Sequence, residues 1–372
     1  MSNFLRRLSF SRLLLLGGVV VAVGIGATAL ALAIGTGPTP PPKPLPDALH
    51  EALVAPKVSG VSERIQLTNH LLEGASLASN GGEASQLSSS PLVSGASGRL
   101  WIGAEGHARL ELQSEKGDTQ VLWDGKTASL YDASTNTLYR YTPQAHSSGA
   151  GDPSAPPTGA SPHGVPTVAE IEEGIAHAGK HADISGATPT DVAGQAAYTV
   201  RVSPRENGGL IGGAELSWDA TNGVPLRAAL YSTSSSSPVI ELAANEISYG
   251  PVASSTLDFT PPANAKIEDV TLPTKPSSGT SDSPQAGEKP HVTTHGNGLG
   301  AIALLESPVK PGEQESTSSQ LESLPKVNIN GTSASELPTP LGTLLSFERA
   351  GVRYVLGGSV TPASIEAFAR GL

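Results

Sequence analysis

Between about Val58 and Phe259 the chain alternates apolar and polar residues with a period of two, punctuated by turn dipeptides. In Ala108 to Gln113 (ARLELQ), Ala108, Leu110 and Leu112 share one face while Arg109, Glu111 and Gln113 share the other, which marks a strand half-buried on one side. Thr119 to Trp123 (TQVLW) meets Asp124-Gly125 and continues as Thr127 to Tyr131 (TASLY); Asp-Gly between two such runs is a strong hairpin signal. Similar runs are Gly98 to Ile102, Thr137 to Tyr141, Tyr198 to Val202, Ala214 to Trp218, Leu226 to Tyr231 and Val239 to Tyr249, with Asn222-Gly223 as a further turn. This pattern predicts an antiparallel meander with one wet face.

An apolar sheet face has to be covered, and two short helical patterns are the available material. Asp47 to Val54 (DALHEALV) has Asp47 as a plausible N-cap, and Thr167 to about Lys180 opens with Thr167 and Glu170 in capping-box spacing. The expected fold class is therefore mainly β with α: a curved antiparallel sheet forming an unclosed half-barrel around short helices. A small C-terminal α+β domain follows. There Gly300 to Leu305 and Thr343 to Gly357 resume strand character, and Thr361, Pro362, Ile365, Phe368 and Ala369 outline a final helix. Glycine (42) and proline (31) are abundant in the 372 residues, and much of both falls in aperiodic stretches. The expected division is 47–270 for the half-barrel, with disordered insertions near 74–95 and 146–166, then 271–298 for a linker and 299–372 for the small domain.

The N-terminus sets the compartment. Arg6, Arg7 and Arg12 precede Leu13 to Ile34, a run without charge or proline that is long enough to cross a bilayer. Residues 1–12 then read as cytoplasmic, 13–34 as a transmembrane helix or uncleaved signal anchor, and 35–46 as a polyproline spacer. Single-pass anchoring in the cell membrane, with the main domains extracytoplasmic, is the expectation. The alternative is secretion after signal cleavage, since Ala29, Ala31 and Ala33 offer cleavage sites. The absence of cysteine rules out disulfides, thiolate metal sites and lipidation on a cysteine, and the net charge of −11 argues against nucleic acid as a partner.

Several short motifs carry no chemistry in this context. Gly174 to Lys180 matches G-x-x-x-x-G-K, but His181 stands where magnesium needs Ser or Thr, and the surrounding pattern is helical. His177 and His181 read as solvated histidines at a helix end, and His291 and His295 as linker residues. Gly296, Gly298 and Ala301 form G-x-G-x-x-A without a βαβ unit around it. Asn330-Gly331 makes a turn after Val327 to Ile329. No catalytic residue, metal or cofactor is expected, so the chain reads as a binding protein and not an enzyme.

Ala196 to Pro204 (AAYTVRVSP), Leu216 to Ser232 (LSWDATNGVPLRAALYS) and Ile247 to Ile267 (ISYGPVASSTLDFTPPANAKI) resemble the periplasmic lipoprotein-carrier superfamily, which holds the LolA-type sorting proteins and the RseB/MucB sigma-factor regulators. Ser97 to Tyr141 fits the same pattern. The resemblance implies an unclosed β-barrel wrapped around helices, with an apolar cavity for acyl chains. It implies lipid or an acylated lipoprotein as ligand or, in the regulatory branch, an anti-sigma factor or other envelope protein as partner. Residues on the strand runs that could line such a groove are Trp101, Leu110, Leu112, Val121, Trp123, Tyr131, Tyr139, Leu216 and Trp218. Parity groups them, but does not say which face is concave.

Overall fold

The computed structural model describes residues 37–73, 91–115, 117–143, 165–205, 209–270, 291–309 and 324–372. The apolar run 13–34 lies outside them, as do most of the expected insertions and linker; among the described residues no helix is long and apolar enough to cross a membrane.

A short helix, α1 (Leu45–Val54), leads into β1 (Gly60–Asn69), and a one-turn helix α2 (Pro91–Ser94) into β2 (Ala96–Gly103). β3 (Ala108–Ser114), β4 (Gly117–Trp123), β5 (Ala128–Asp132) and β6 (Thr137–Tyr141) follow as a meander, then α3 (Val168–Ala178). The second half comprises β7 (Ala182–Ile184), β8 (Thr188–Val192), β9 (Gln195–Pro204), β10 (Ile211–Asp219), β11 (Pro225–Ser232) and β12 (Pro238–Tyr249). The one-turn α4 (Ser254–Leu257) and β13 (Lys266–Val270) close the domain. These thirteen strands make one curved sheet in the order β13-β6-β5-β4-β3-β2-β1-β12-β11-β10-β9-β7, with β8 also on β9, and it does not close into a barrel. β1, whose strand the sequence pattern left unmarked, joins the halves by pairing with β2 and β12. Its register with β12 slips between Arg64 and Ile65; such a bulge adds local twist where the sheet turns. One pairing departs from the antiparallel expectation: β13 returns alongside β6 in parallel.

Local chemistry accounts for most element ends. Thr167 caps α3 by accepting from the Glu170 amide while the Glu170 carboxylate accepts from the Thr167 amide, the reciprocal box that the spacing predicted. α1 corrects the expectation for Asp47, which lies in the first turn and not at the cap. Pro44 is the cap residue and the helix begins at Leu45, because Pro46 brings a pre-set φ to the first turn.

The proline-rich segment, expected as a free spacer, is packed on the sheet over its described part. Pro40 is buried, Tyr198 Oη donates to the Pro41 carbonyl at 2.7 Å, and Lys43 bridges to Ala187 and pairs with Glu51. The first expected insertion is likewise ordered at its end: Leu92 on α2 packs against the β1–β3 and β4–β6 clusters, and Asn69 Nδ2 holds its carbonyl at 2.7 Å.

The second sheet has the order β14-β15-β19-β18-β17-β16, built from β14 (His291–His295), β15 (Ile302–Pro308), β16 (Lys326–Ile329), β17 (Thr332–Thr339), β18 (Gly342–Arg349) and β19 (Val352–Gly358). The terminal helix α5 (Pro362–Arg370), capped by Thr361, lays the fully buried Ile365 and Ala369 on Leu345, Phe347 and Leu356. This domain begins at β14, earlier than position 299, since His291 to His295 finds a partner in β15 and is not linker. A strand therefore does precede Gly296, but the next strand runs antiparallel and forms no dinucleotide fold. Asn330 and Gly331 both take positive φ (51° and 87°) in the β16–β17 turn, as a two-residue hairpin requires. The two domains meet where the Leu210 amide donates to the Ser359 carbonyl at 2.7 Å and the Ile211 amide to Ser359 Oγ at 3.2 Å.

Candidate functional site

Residues paired across strands point to the same side of a sheet, so the registers separate its two faces. On one face Tyr139, Leu130, Val121, Leu110, Leu100, Glu63 and Ile247 stand opposite one another in turn from β6 to β12. Flanking rows of the same face hold Trp123, Ala108, Ile102 and Val61, and Thr119, Leu112, Gly98 and Ile65. The helices pack on this inner face. Leu92 of α2 touches Val121, Leu130 and Leu110, while Leu45 and Ala48 of α1 pack with Tyr198, Val200 and Trp218. α3 leans on α1, with His50 Nδ1 at 2.8 Å from the Pro166 carbonyl.

The expected groove residues divide into three sets. Leu110, Leu112, Val121, Trp123 and Tyr139 share the inner face of β3–β6; Leu110 and Trp123 are half-buried, whereas Leu112 is sealed at 1% exposure among Ile65, Leu67 and Ala96. Leu216 and Trp218 are on the same face but under the helices, where Trp218 is 3% exposed and 6.1 Å from the Tyr198 ring; they are core. Trp101 and Tyr131 are on the opposite face, a correction that follows from the pairing of Trp101 with Arg109 and of Tyr131 with Gln120. There the segment 254–259 is strapped across them. Arg109 Nη1 donates to the carbonyls of Thr256 and Asp258 at 2.9 Å each, its guanidinium is 5.9 Å from the Trp101 ring and 5.8 Å from Phe259, and Phe259 is 5.1 Å from Tyr131.

The outer surface of the second half is ionic. Arg227, 3% exposed, pairs with Glu215 and, at 3.1 Å, with Glu241; Arg201 Nη1 reaches Glu215 at 2.9 Å and Tyr231 Oη donates to it at 2.8 Å. Burial pushes the Glu215 carboxyl up, but the bonds from Arg227, Tyr231 and Arg201 outweigh it and hold the group below its ordinary range.

Glu63, absent from the expected set, is the one charged residue in the inner row. It is 5% exposed, no hydrogen bond or ion pair to it is present among the described residues, and burial pushes its carboxyl up to about 8. Across one more row, Val61 faces Tyr249, whose hydroxyl donates at 2.5 Å to Asp219, also buried; burial and that bond raise the phenol. The signal was in the sequence: in Val61 to Leu67 (VSERIQL), Val61, Ile65 and Leu67 hold the apolar parity and Glu63 interrupts it.

A cleft of about 410 Å³ lies where the domains meet, lined by His181, Ala182, Val202, Ile211, Gly213 and Leu299. The G-x-x-x-x-G-K match falls inside α3 and its C-terminal cap, so it presents no loop to a phosphate.

No protein-family model matches the chain, and no curated protein does. Among solved structures, MucB in complex with MucA(peri) is 15% identical with a TM-score of 0.44, covering 87% of this chain and 97% of that one. The Pseudomonas aeruginosa MucA/MucB complex gives 16%, 0.46, 87% and 96%. A LolA-superfamily protein from Nitrosomonas europaea gives 9%, 0.20, 84% and 90%. The chain resembles MucB and the LolA superfamily.

Proposed function

We propose that the chain is an extracytoplasmic carrier-like protein, held at the membrane by residues 13–34, that binds the acyl chains of a lipid or lipoprotein on the inner face of its half-barrel. The apolar inner face of β2–β6, where Leu100, Leu110 and Trp123 are half-buried beside the sealed Val121 and Leu130, carries this reading. A polar ligand would leave its own hydrogen-bonding groups unpaired there, whereas a hydrocarbon chain gains by leaving water. The positively charged N-terminal arginines ahead of an apolar run support the compartment, and the sequence resemblance supports the ligand class. The chemistry is binding and not catalysis.

The test is lipid mass spectrometry of the full-length protein purified in amphipol, together with displacement of the neutral dye N-phenyl-1-naphthylamine. A co-purifying acylated molecule, and at least about tenfold weaker dye binding by Leu110→Asp from placing a charge in the row, are expected. Dye binding of equal strength in Leu110→Asp and no acylated ligand refute it.

The interdomain cleft favours a second reading, a regulator that binds an anti-sigma factor or another envelope protein. Val202 and Leu299, 38% and 41% exposed, both line it, and exposed apolar side chains gathered in one cleft suit a protein contact. Leu299→Glu should then abolish capture of a membrane partner by the full-length protein while leaving dye binding intact; unchanged capture ends this reading.

A further inference from the structure

We infer that the end of the half-barrel where the chain enters it is a membrane-docking rim, resting on the lipid surface with Leu53 and Val54 in the bilayer interface. The inference adds a site to the reading above and rests only on its membrane anchor, not on its ligand.

The chain path fixes which end this is. Gly37 lies against the side chain of Asp191, two positions before the β8–β9 turn at Ala193 and Gly194. From there residues 37–43 run antiparallel along β8, with Pro41 held by Tyr198 and Lys43 bridged to Ala187 at the strand's other end. α1 then runs back, and its Ala52 backbone meets Gly223 in the β10–β11 turn. The Ala220 amide donates to the Ala196 carbonyl at 2.8 Å, joining the two turns. Entry point, both turns and the C-terminal end of α1 therefore form one rim. Only Gly35 and Thr36 separate Gly37 from Ile34, the last residue of the apolar run. Three Cα steps of about 3.8 Å hold the rim within about 11 Å of the end of that run, little more than the polar layer of one leaflet.

The surface of the rim suits that neighbour. Leu53 and Val54 are 55% and 50% exposed at the end of α1, whereas Leu45 and Ala48 of the same helix are buried. Val165, also exposed, is next to Pro166, whose carbonyl is 2.8 Å from His50 Nδ1 one helical turn before Leu53. Three of the seven large apolar side chains exposed among the described residues thus gather here. The turns Ala193-Gly194 and Ala220 to Gly223 carry no charge, while the first half's turns at the same end carry the exposed Glu105, Asp124 and Lys126. Beside the apolar pair, Glu51 is neutralised by Lys43. The exposed Lys57 follows on the way to β1, and a lysine lays its stem along hydrocarbon while its ammonium stays among the headgroups. The C-terminal domain bonds Leu210 and Ile211 at the opposite end of β10 and leaves this rim uncovered. With a net charge of −11, attraction to anionic lipid is not the main force; apolar side chains held against a bilayer gain by entering its interface.

The experiment uses the full-length protein in nanodiscs of phosphatidylcholine and phosphatidylglycerol, with and without a phosphatidylcholine that carries a nitroxide on its headgroup. The chain has no cysteine, so Thr221→Cys and Ser236→Cys each take a single NBD label, one at the rim and one beyond the far end of β11, at least about 26 Å away along its eight residues. The nitroxide lipid should quench the Thr221 label at least about twofold and leave the Ser236 label unchanged. A Gly-Ser insert of about ten residues after Gly35 lengthens the tether by about 17 Å and separates docking from mere proximity. Quenching at Thr221 should survive the insert and fall to the Ser236 level only when Leu53→Ser and Val54→Ser are added to it. Three results overturn the inference and leave the anchor standing: Thr221 quenched no more than Ser236, quenching lost on lengthening alone, or a Thr221 label shielded from soluble iodide without nitroxide quenching, which marks a protein partner. A full-length chain that does not float with liposomes of the same lipids refutes the anchor and the inference together. The lengthened chain leaves α1 unaltered, so a folding defect in the serine variant does not shelter the idea.

Discussion

Replacing Glu63 with glutamine should stabilise the larger domain at neutral pH and leave it unchanged in acid. Burial raises this carboxyl from an ordinary 4.5 to about 8. A raised acid is protonated in the native state over a range in which the unfolded chain has already ionised. Its contribution is therefore intact below about pH 4.5 and is lost as pH climbs towards 8. At 1.36 kcal/mol per pKa unit, holding Glu63 neutral at pH 7 costs about 3 kcal/mol, and glutamine, with nearly the same shape, has no proton to retain. In a domain of this size that corresponds to a rise in Tm of roughly 6–12 °C. The assay can see that domain alone, since all three tryptophans, Trp101, Trp123 and Trp218, lie in its sheet and none in the C-terminal domain. Urea titrations followed by tryptophan fluorescence at pH 4.5, 6, 7 and 8 should give curves for the two proteins that coincide in acid and diverge steadily above it. Subtracting one from the other removes every other titrating group. A constant offset across the series would show that Glu63 titrates normally, and with it the picture of an isolated carboxyl in the inner row would fail.

Other outcomes follow from single contacts. Glu215→Ala should cost about 1.5–3 kcal/mol in the same fluorescence titration, because it removes one of the two carboxylates paired with the 3% exposed Arg227 and leaves Glu241 as the other; a loss under about 1 kcal/mol would mean that water reaches this network. Gly98→Ala should destabilise by about 1–3 kcal/mol, since a Cβ there would lie 1.9 Å from the Glu111 carbonyl oxygen and force β2 from β3; neutrality in urea titration would contradict the close approach. Thr361→Ala should remove about 1 kcal/mol from the C-terminal domain alone, read by backbone hydrogen exchange in α5 and its sheet, and a matching loss in the tryptophan signal would show that the two domains unfold together.

The strands, their turns and two of the helix caps were legible in the sequence because each depends on neighbours along the chain. Alternation from Ala108 to Gln113 fixes which residues share a face, Asp124-Gly125 reverses the chain, and Thr167 with Glu170 completes a cap within one turn. The same logic exposes Glu63 as a charge at an apolar parity, a signal present in seven consecutive residues and unused in selecting the groove set.

What packs on a face is a different kind of information. Parity says that Arg109 and Glu111 point the same way, but only the folded chain pairs Trp101 with Arg109, brings Phe259, some 150 positions downstream, over them and leaves Leu110 and Val121 on the side of the helices. Nor does alternation tell that Trp218 lies under α1, that Pro40 and Pro41 rest on the sheet beside Tyr198, or that β13 returns parallel to β6. These are contacts between segments whose separation in sequence carries no periodic mark. The sequence alone determined the strands and their two-sidedness through local sterics and hydrogen bonding; tertiary structure decided which side is covered, and so desolvated one carboxyl at the end of an apolar row.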